Sequence, residues 1–540
     1  MTSDSRLTRP VGEGAPEQTV RMTLRDRLLR GDPVVGVLGP MRVPPRDAIV
    51  RAVREIAQAG PHTRVALGFD ADGRSWHAAT DDLDAWCEEI VVSVPAPAVD
   101  DIVAFANRQA WLLDAHHPLR IILAGDYVVQ VNDHALGDGV LFVERLAAII
   151  SLAAGATVVP DWLATVPERF PLRRAVRHTL GNRRALAALL SERRDDQVRA
   201  RAYPAADEGP VRPWRPDMGI VVTRVPAPRM SEFRAAVQGT SATLTSALIV
   251  VMRRALRAEE IALARDTSVI YNLRRYLPDG TATVDGNFVS GLPIRAHDPD
   301  DPVSVAAVMR EQIASARPLA ALVVGVVKAT VVGLPSRLWQ VVAETPAAHL
   351  MFNNLGKAEA FDGLPWTTSP GDRTSAIINR PGGPADLSVL VVMVAGVLHV
   401  TASFHSNVLD EAAVQRAFDR FAADPVGLLQ DSMSAAESPE PTTSDPVDVK
   451  SAGAEPSGRE PADAAPTDPA PTDPAPTDPA AASEHPARPE VQPEAAAATA
   501  AVGATLAGTQ PKKAKRKRAT LTDPAHSESA RGDSVRGDQS

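Results

Sequence analysis

The sequence predicts a mixed α/β protein (α+β by the order of its elements) made of two compact regions and a disordered tail. Three observations carry this. Alternating apolar runs that read as hairpins are interleaved with segments of helical spacing. A proline-rich stretch, 203–216, separates two groups of such elements. From about Ser434 the composition turns to Ala, Pro, Thr, Asp and Glu, and Ala-Pro-Thr-Asp-Pro recurs from Ala465, Ala470 and Ala475. Such a segment buries too little apolar surface to offset its ordering entropy. The expected organisation is a disordered leader (1–22), a first lobe (23–202), a crossover (203–216), a second lobe (217–430) and the tail (431–540).

In the first lobe, Asp47 to Ala59 reads as an amphipathic helix after Pro44-Pro45, with Asp47 as its cap and Gly60-Pro61 as its stop. Asp100 to Leu113 is a second helix, ending before His116-His117-Pro118. Only Asp114 stands near that double histidine, so it is not read as a metal site. Ile121 to Val131, broken at Ala124-Gly125-Asp126, is a hairpin, and beyond Gly139 the residues Val140, Val143, Leu146, Ala147 and Ile150 share one helical face. Arg169 to Arg201 is helical and rich in arginine, including Arg173, Arg174 and Arg177. It is read as a solvated helix face in preference to a basic rim for a phosphate-bearing donor.

In the second lobe, Ile220 to Val225 is a strand, Ser231 to Val237 a short helix, and Thr243 to Arg257 a strong helix capped by Thr243. Ser268 to Leu273 and the segment from Gly286 to Ile294 are strands, and Val303 to Ala316 is a helix. Met351 to Gly356 reads as a strand end turning into a loop. Leu387 to Val394, Ala395-Gly396 and Val397 to Phe404 form a hairpin, and Asp410 to Ala422 is the closing helix.

Composition narrows the classes. The chain has 540 residues, enough for two or three domains. A net charge of −9 argues against a generally nucleic-acid-binding surface, although the cluster 512–518 could contact an acidic partner or nucleic acid. One cysteine, Cys87, excludes an internal disulfide framework and a thiolate metal cluster, and its acidic neighbours make it structural. No stretch is apolar and long enough to span a bilayer, and no signal peptide is visible, so a cytoplasmic protein is expected.

The chemistry lies in Asp133-His134-Ala135-Leu136-Gly137-Asp138-Gly139, on a tight strand-to-helix connection. A neutral imidazole there can take a proton from a hydroxyl or amine as it attacks a carbonyl. The aspartate suits fixing the loop through a buried arginine. The glycine leaves space and takes backbone angles that a side chain would forbid. No Gly-x-Ser-x-Gly elbow is present, which fits direct attack without an acyl-enzyme.

Three segments in order resemble one superfamily. The histidine motif is similar to that of chloramphenicol acetyltransferase, the plant acyl-CoA acyltransferases, wax ester synthases and nonribosomal peptide condensation domains. Tyr271 to Pro278 with Gly286-Asn287-Phe288 resembles the family's mid-chain arginine segment, and Asn353-Asn354-Leu355-Gly356 its asparagine-bearing loop. The likeness covers about residues 25 to 425. It implies two chloramphenicol acetyltransferase-like lobes, each a mixed sheet with helices, around a central tunnel. Carried over, His134 is the general base, Asp138 the structural partner of Arg274, and Gly139 a close-approach position. Asn353 or Asn354 lies near the acyl carbonyl. Asp133 stands where many relatives have a further histidine, and the plant branch's Asp-Phe-Gly-Trp segment has no match.

The function implied is transfer of an acyl group from a coenzyme A thioester, used as co-substrate, to a small-molecule alcohol or amine. No metal or permanently bound cofactor is expected, and the protein is expected to be a monomer. One alternative is a condensation or ester-forming enzyme of secondary or lipid metabolism that takes its donor from an acyl carrier protein. The other is a non-catalytic binding or scaffold protein on the same fold.

Overall fold

The computed structural model describes residues 19–430, except 71–72, 80–81, 96, 98–100, 111–112, 115, 182–186, 190, 192–193, 195, 197, 199–209, 282 and 332–339. The leader up to residue 18, residues 203–209 of the 203–216 crossover and the tail from 431, with its basic cluster, lie outside the described residues.

The first half runs β1 (Thr19–Arg21), α1 (Leu24–Arg27), β2 (Pro33–Gly39), α2 (Arg46–Gln58), β3 (Leu67–Phe69), β4 (Ser75–Ala78), α3 (Leu83–Ile90), β5 (Val91–Val94) and α4 (Ile102–Gln109). It continues with β6 (Leu119–Ala124), β7 (Tyr127–Asp133), α5 (Gly139–Ala153), α6 (Asp161–Ala164) and α7 (Pro171–Leu180). The second half holds β8 (Val211–Pro213), β9 (Met218–Val225), α8 (Ala227–Val237), α9 (Leu244–Ala258), β10 (Thr267–Asn272) and β11 (Val289–Ile294). It closes with α10 (Pro302–Ala314), α11 (Arg317–Val331), β12 (Val341–Ala343), β13 (His349–Lys357), β14 (Thr374–Asn379), β15 (Asp386–Val394), β16 (Val397–His405) and α12 (Glu411–Ala423).

Two large sheets organise these elements. One has the order β14-β2-β7-β6-β5, the other β11-β10-β13-β15-β16-β9. Both are mixed: β5 runs parallel to β6, and β13 runs parallel to both β10 and β15. The hairpin turns follow local chemistry. Gly125 (φ +61°) turns β6 into β7, and Ala395 and Gly396 (φ +48° and +85°) turn β15 into β16. Thr243 caps α9 in a reciprocal capping box with Ser246, which satisfies the amides of both residues.

The expected division at 203–216 does not keep the halves to separate sheets. Strand β14, from the second half, lies on β2 of the first, from Thr374 opposite Gly39 to Asn379 opposite Val34. The core is shared as well: Phe361, Ile377, Leu390 and Val392 pack with Phe142, Leu146 and Ile149.

Three local expectations differ. Asp47 does not cap α2; the helix starts one residue earlier behind Pro45, whose carbonyl accepts from Ala48 and Ile49, and Asp47 sits in the first turn. Helix α4 is shorter than 100–113. The segment 351–356 does not leave the sheet. Strand β13 runs on to Lys357 with a bulge after Asn354, because Leu390 and Val391 of β15 lie opposite Asn353 and Asn354 and the pairing outweighs the low strand propensity of two asparagines. Among the described residues no single helix is long and apolar enough to cross a membrane.

Candidate active site

His134 opens a single 3-10 turn, His134–Leu136, between the end of β7 and the start of α5. Its amide donates to the Asp32 carbonyl at 2.8 Å. All three carbonyls of the turn accept from buried side chains. Asn287 Nδ2 donates to His134 O at 2.8 Å, Arg64 Nη1 to Ala135 O at 2.9 Å, and Arg145 Nη2 to Leu136 O at 3.0 Å. A turn held at every carbonyl cannot drift, and this fixes the ring that it carries.

Burying these donors requires compensation. Asp26, fully buried, accepts from Arg64 Nη2 at 3.1 Å and from the Asn287 amide and Nδ2 at 3.0 and 3.1 Å. Burial pushes its carboxyl up, but Arg64 and Arg25 outweigh burial and hold it below the usual range. Arg25 in turn donates to the Asn287 carbonyl. Arg145 makes no ion pair among the described residues: it donates to Leu136 O, its Nε and Nη1 find no partner there, and burial with the nearby Arg64 outweighs the pull of Asp138 and brings its pKa down to about 9.

Asp138 ties the motif to the second half. Its carboxylate, 1 % exposed, accepts from Arg274 Nη1 at 2.8 Å and Nη2 at 3.3 Å, from the Phe288 amide at 2.9 Å, and from the first amides of α5. Burial alone would raise its pKa; the Arg274 guanidinium outweighs that and lowers it. The aspartate thus serves at once as helix cap and as buried ion-pair partner.

The glycine roles divide between two positions. Gly139 is the close approach: a Cβ there would come within 2.5 Å of Leu355 Cδ2. The unusual backbone angle belongs instead to Gly137, at φ +148°.

The imidazole of His134 is half-buried. Its Nδ1 is inaccessible and has no hydrogen-bond partner among the described residues, so Nε2 is the nitrogen that can face a substrate. The ring lines a cavity of about 720 Å³ between the two halves, with Val140, Val143, Leu322, Met351 and Asn353 in its wall. The cavity shares Asp32, Arg380 and Gly382 with a small hollow beside Trp214 and His405. It shares Val140 and Glu144 with a further hollow of about 400 Å³, lined also by Arg274, Pro278 and Asp285.

The two asparagines separate. Asn354 Nδ2 donates to Thr245 Oγ1 at 3.0 Å, and its Oδ1 accepts from the Gly356 amide. Asn353 also lines the cavity and makes no such bond among the described residues, which leaves its amide to a substrate. Glu144 was not foreseen. It is half-buried in the wall common to both spaces, and burial pushes its carboxyl up against the opposing pull of Arg274. The double histidine is elsewhere: His117 Nε2 meets Glu89 at 2.9 Å, and its ring packs on Trp86. Cys87 is buried, and burial pushes its thiol up to about 11.

No protein-family model and no curated protein matches this sequence. Solved structures do. The TRI3 trichothecene 15-O-acetyltransferase of Fusarium sporotrichioides aligns with a TM-score of 0.54 at 10% identity, over 76% of this chain and 95% of that one. What this chain shares with that acetyltransferase is the fold. A nonribosomal peptide synthetase, FmoA3, aligns at 0.50 with 18% identity, over 79% of this chain and 44% of its own. The first condensation domain of the calcium-dependent antibiotic synthetase aligns at 0.49 with 15% identity, over 77% of this chain and 97% of that one. In this condensation-domain-like fold, His134 lies between the two halves.

Two predictions follow from the charges around the turn. Asp138→Ala removes a buried ion pair and a helix cap together, and is expected to cost roughly 3–5 kcal/mol; urea denaturation midpoints measure it, and an unchanged midpoint would contradict the arrangement. Asp133 accepts from the amides of Gly31 and Ala135, yet burial raises its pKa from 3.8 to about 6. Its folded form holds the proton more tightly than its unfolded form. Its contribution to stability is therefore full below about pH 4 and falls as pH rises to about 6. Subtracting the stability of Asp133→Asn from that of the wild type across this window should give a descending difference; a level one would refute the assignment.

Proposed function

We propose that this protein is an acyltransferase that moves an acyl group from a thioester to a hydroxyl or amine, with His134 as general base. One observation carries the reading: the imidazole of His134, on a turn held at every carbonyl, lines a cavity that adjoins two further hollows. A donor and an acceptor entering by separate hollows would meet at that ring.

In this scheme Nε2 takes the proton of the acceptor as its oxygen or nitrogen attacks the thioester carbonyl. The tetrahedral adduct then collapses, the carbon–sulfur bond breaks, and the leaving thiolate takes the proton back from the imidazolium. Base assistance supplies on the order of 10²- to 10⁴-fold. Holding two substrates end to end supplies much of the remainder. Asn353 can donate to the carbonyl oxygen as charge builds there. Asp138 and Arg274 act through the turn and touch no reacting atom.

The test is mass spectrometry of products formed from a panel of acyl-coenzyme A donors and a cell extract of acceptors. His134→Ala is expected to lower product formation by at least about 100-fold with an unchanged melting temperature. Full activity in that variant would overturn the reading.

A further inference from the structure

Helix α5 carries Val140, Val143 and Glu144 on the face that borders the cavity of His134. Val140 and Glu144 border the adjoining hollow of about 400 Å³ as well, beside Leu141, Trp162 and Leu277. Glu144 therefore stands half-buried in a mainly apolar wall, where the two spaces meet. It forms no hydrogen bond or ion pair among the described residues. A carboxylate held against apolar surface without a partner is unfavourable, and burial accordingly raises its pKa.

The other polar groups that line this hollow are committed elsewhere or lie in water. Arg274 gives Nη1 to Asp138 at 2.8 Å, and Nη2 to Asp138 and to the Val284 carbonyl at 3.3 Å each. It attracts Glu144 through space without bonding to it. Asp285 answers Arg64 at 3.2 Å, and His62 Nε2 meets the Leu163 carbonyl at 3.3 Å. Arg275 and Asp279 are opposite in sign and both exposed, so solvent screens them. Glu144 is left as the uncommitted charge of the buried wall, among the described residues.

We propose that this hollow is a subsite for an ammonium group on a substrate, with the Glu144 carboxylate as its counter-ion. This rests on the acyl-transfer reading and narrows it: a substrate that reaches His134 carries a protonated amine apart from the group that reacts. The nitrogen held here is not the nucleophile. An attacking nitrogen must be unprotonated, whereas a neighbouring carboxylate favours the charged form. The spacing fits two separate groups. Glu144 lies about one and a half helical turns past Gly139, roughly 7–8 Å along the axis of α5. A short linear chain spans that distance. An anionic group would meet Glu144 itself, and Arg274 has both its Nη atoms engaged.

The experiment is isothermal titration calorimetry of the full-length chain with aminohexanol, hexanediol and hydroxyhexanoate, which share a chain length and differ in charge. The wild type should bind the amine about tenfold or more tightly than the diol, and the acid more weakly still. Glu144→Gln should bring amine binding down to the level of the diol, and Glu144→Lys below it. Hexanediol binding reports that a variant's cavity is intact, and the wild-type series decides by itself if neither variant folds. Equal binding of amine and diol by the wild type, tighter binding of the acid, or a preference that survives Glu144→Gln would overturn the proposal. Turnover separates the two sources of the ammonium. Aminohexanol against hexanediol, with one acyl-coenzyme A, tests the acceptor; aminohexanoyl- against hexanoyl-coenzyme A, with one alcohol, tests the acyl chain. A lower KM for the amine, lost in Glu144→Gln, is expected in one of the two, and its absence from both in an active enzyme would also overturn the subsite. The binding series needs no turnover. Amine selectivity in a protein inactive with every donor would keep the subsite and end the acyl-transfer reading.

Discussion

One carboxylate holds the two halves of the molecule in register. Asp138 ends the histidine turn, caps α5, and reaches across to Arg274 and to the Phe288 amide. Because it is buried, none of these bonds can be exchanged for water, and each fixes one more element relative to the imidazole. The cavity wall formed by α5 and the wall formed by the second half therefore meet at a defined angle, and His134 lies at that meeting.

A second polar cluster does the same for the turn itself. Arg64, Asp26 and Asn287 come from three distant parts of the chain and converge beneath the carbonyls of residues 134 to 136. Clusters of this kind are unfavourable when half-satisfied, so they tolerate little displacement. The turn that carries the imidazole is thus held through its backbone by side chains brought from far along the chain. Arg145 departs from the pattern, since it holds the third carbonyl without an ion pair among the described residues.

Much of this architecture was legible in the sequence because it is written locally. The hairpins over 119–133 and 386–405 follow from alternating apolar residues and turn chemistry, and α5 and α9 from helical spacing and a cap. The proximity of Arg274 to Asp138 came through resemblance, since 136 residues separate them. What stayed hidden depends on distant partners. Nothing near Arg64 or Asp26 marks them as a pair, and Asn353-Asn354 reads as loop until β15 is in place beside it. The arginines of α7, by contrast, are the solvated face expected of them: Arg173, Arg174 and Arg177 are exposed.

The strand Thr374–Asn379 has a consequence for the halves as separate objects. It covers β2, whose Val35 and Val37 are buried, and forms the outer margin of the first sheet. Cut the chain between the halves, and the amino-terminal piece is left with a bare row of amides and carbonyls flanked by valines, a ready template for strand-to-strand self-association. The first half is not a module that evolution could readily lend out on its own: the second has been made the chaperone of its unfinished border.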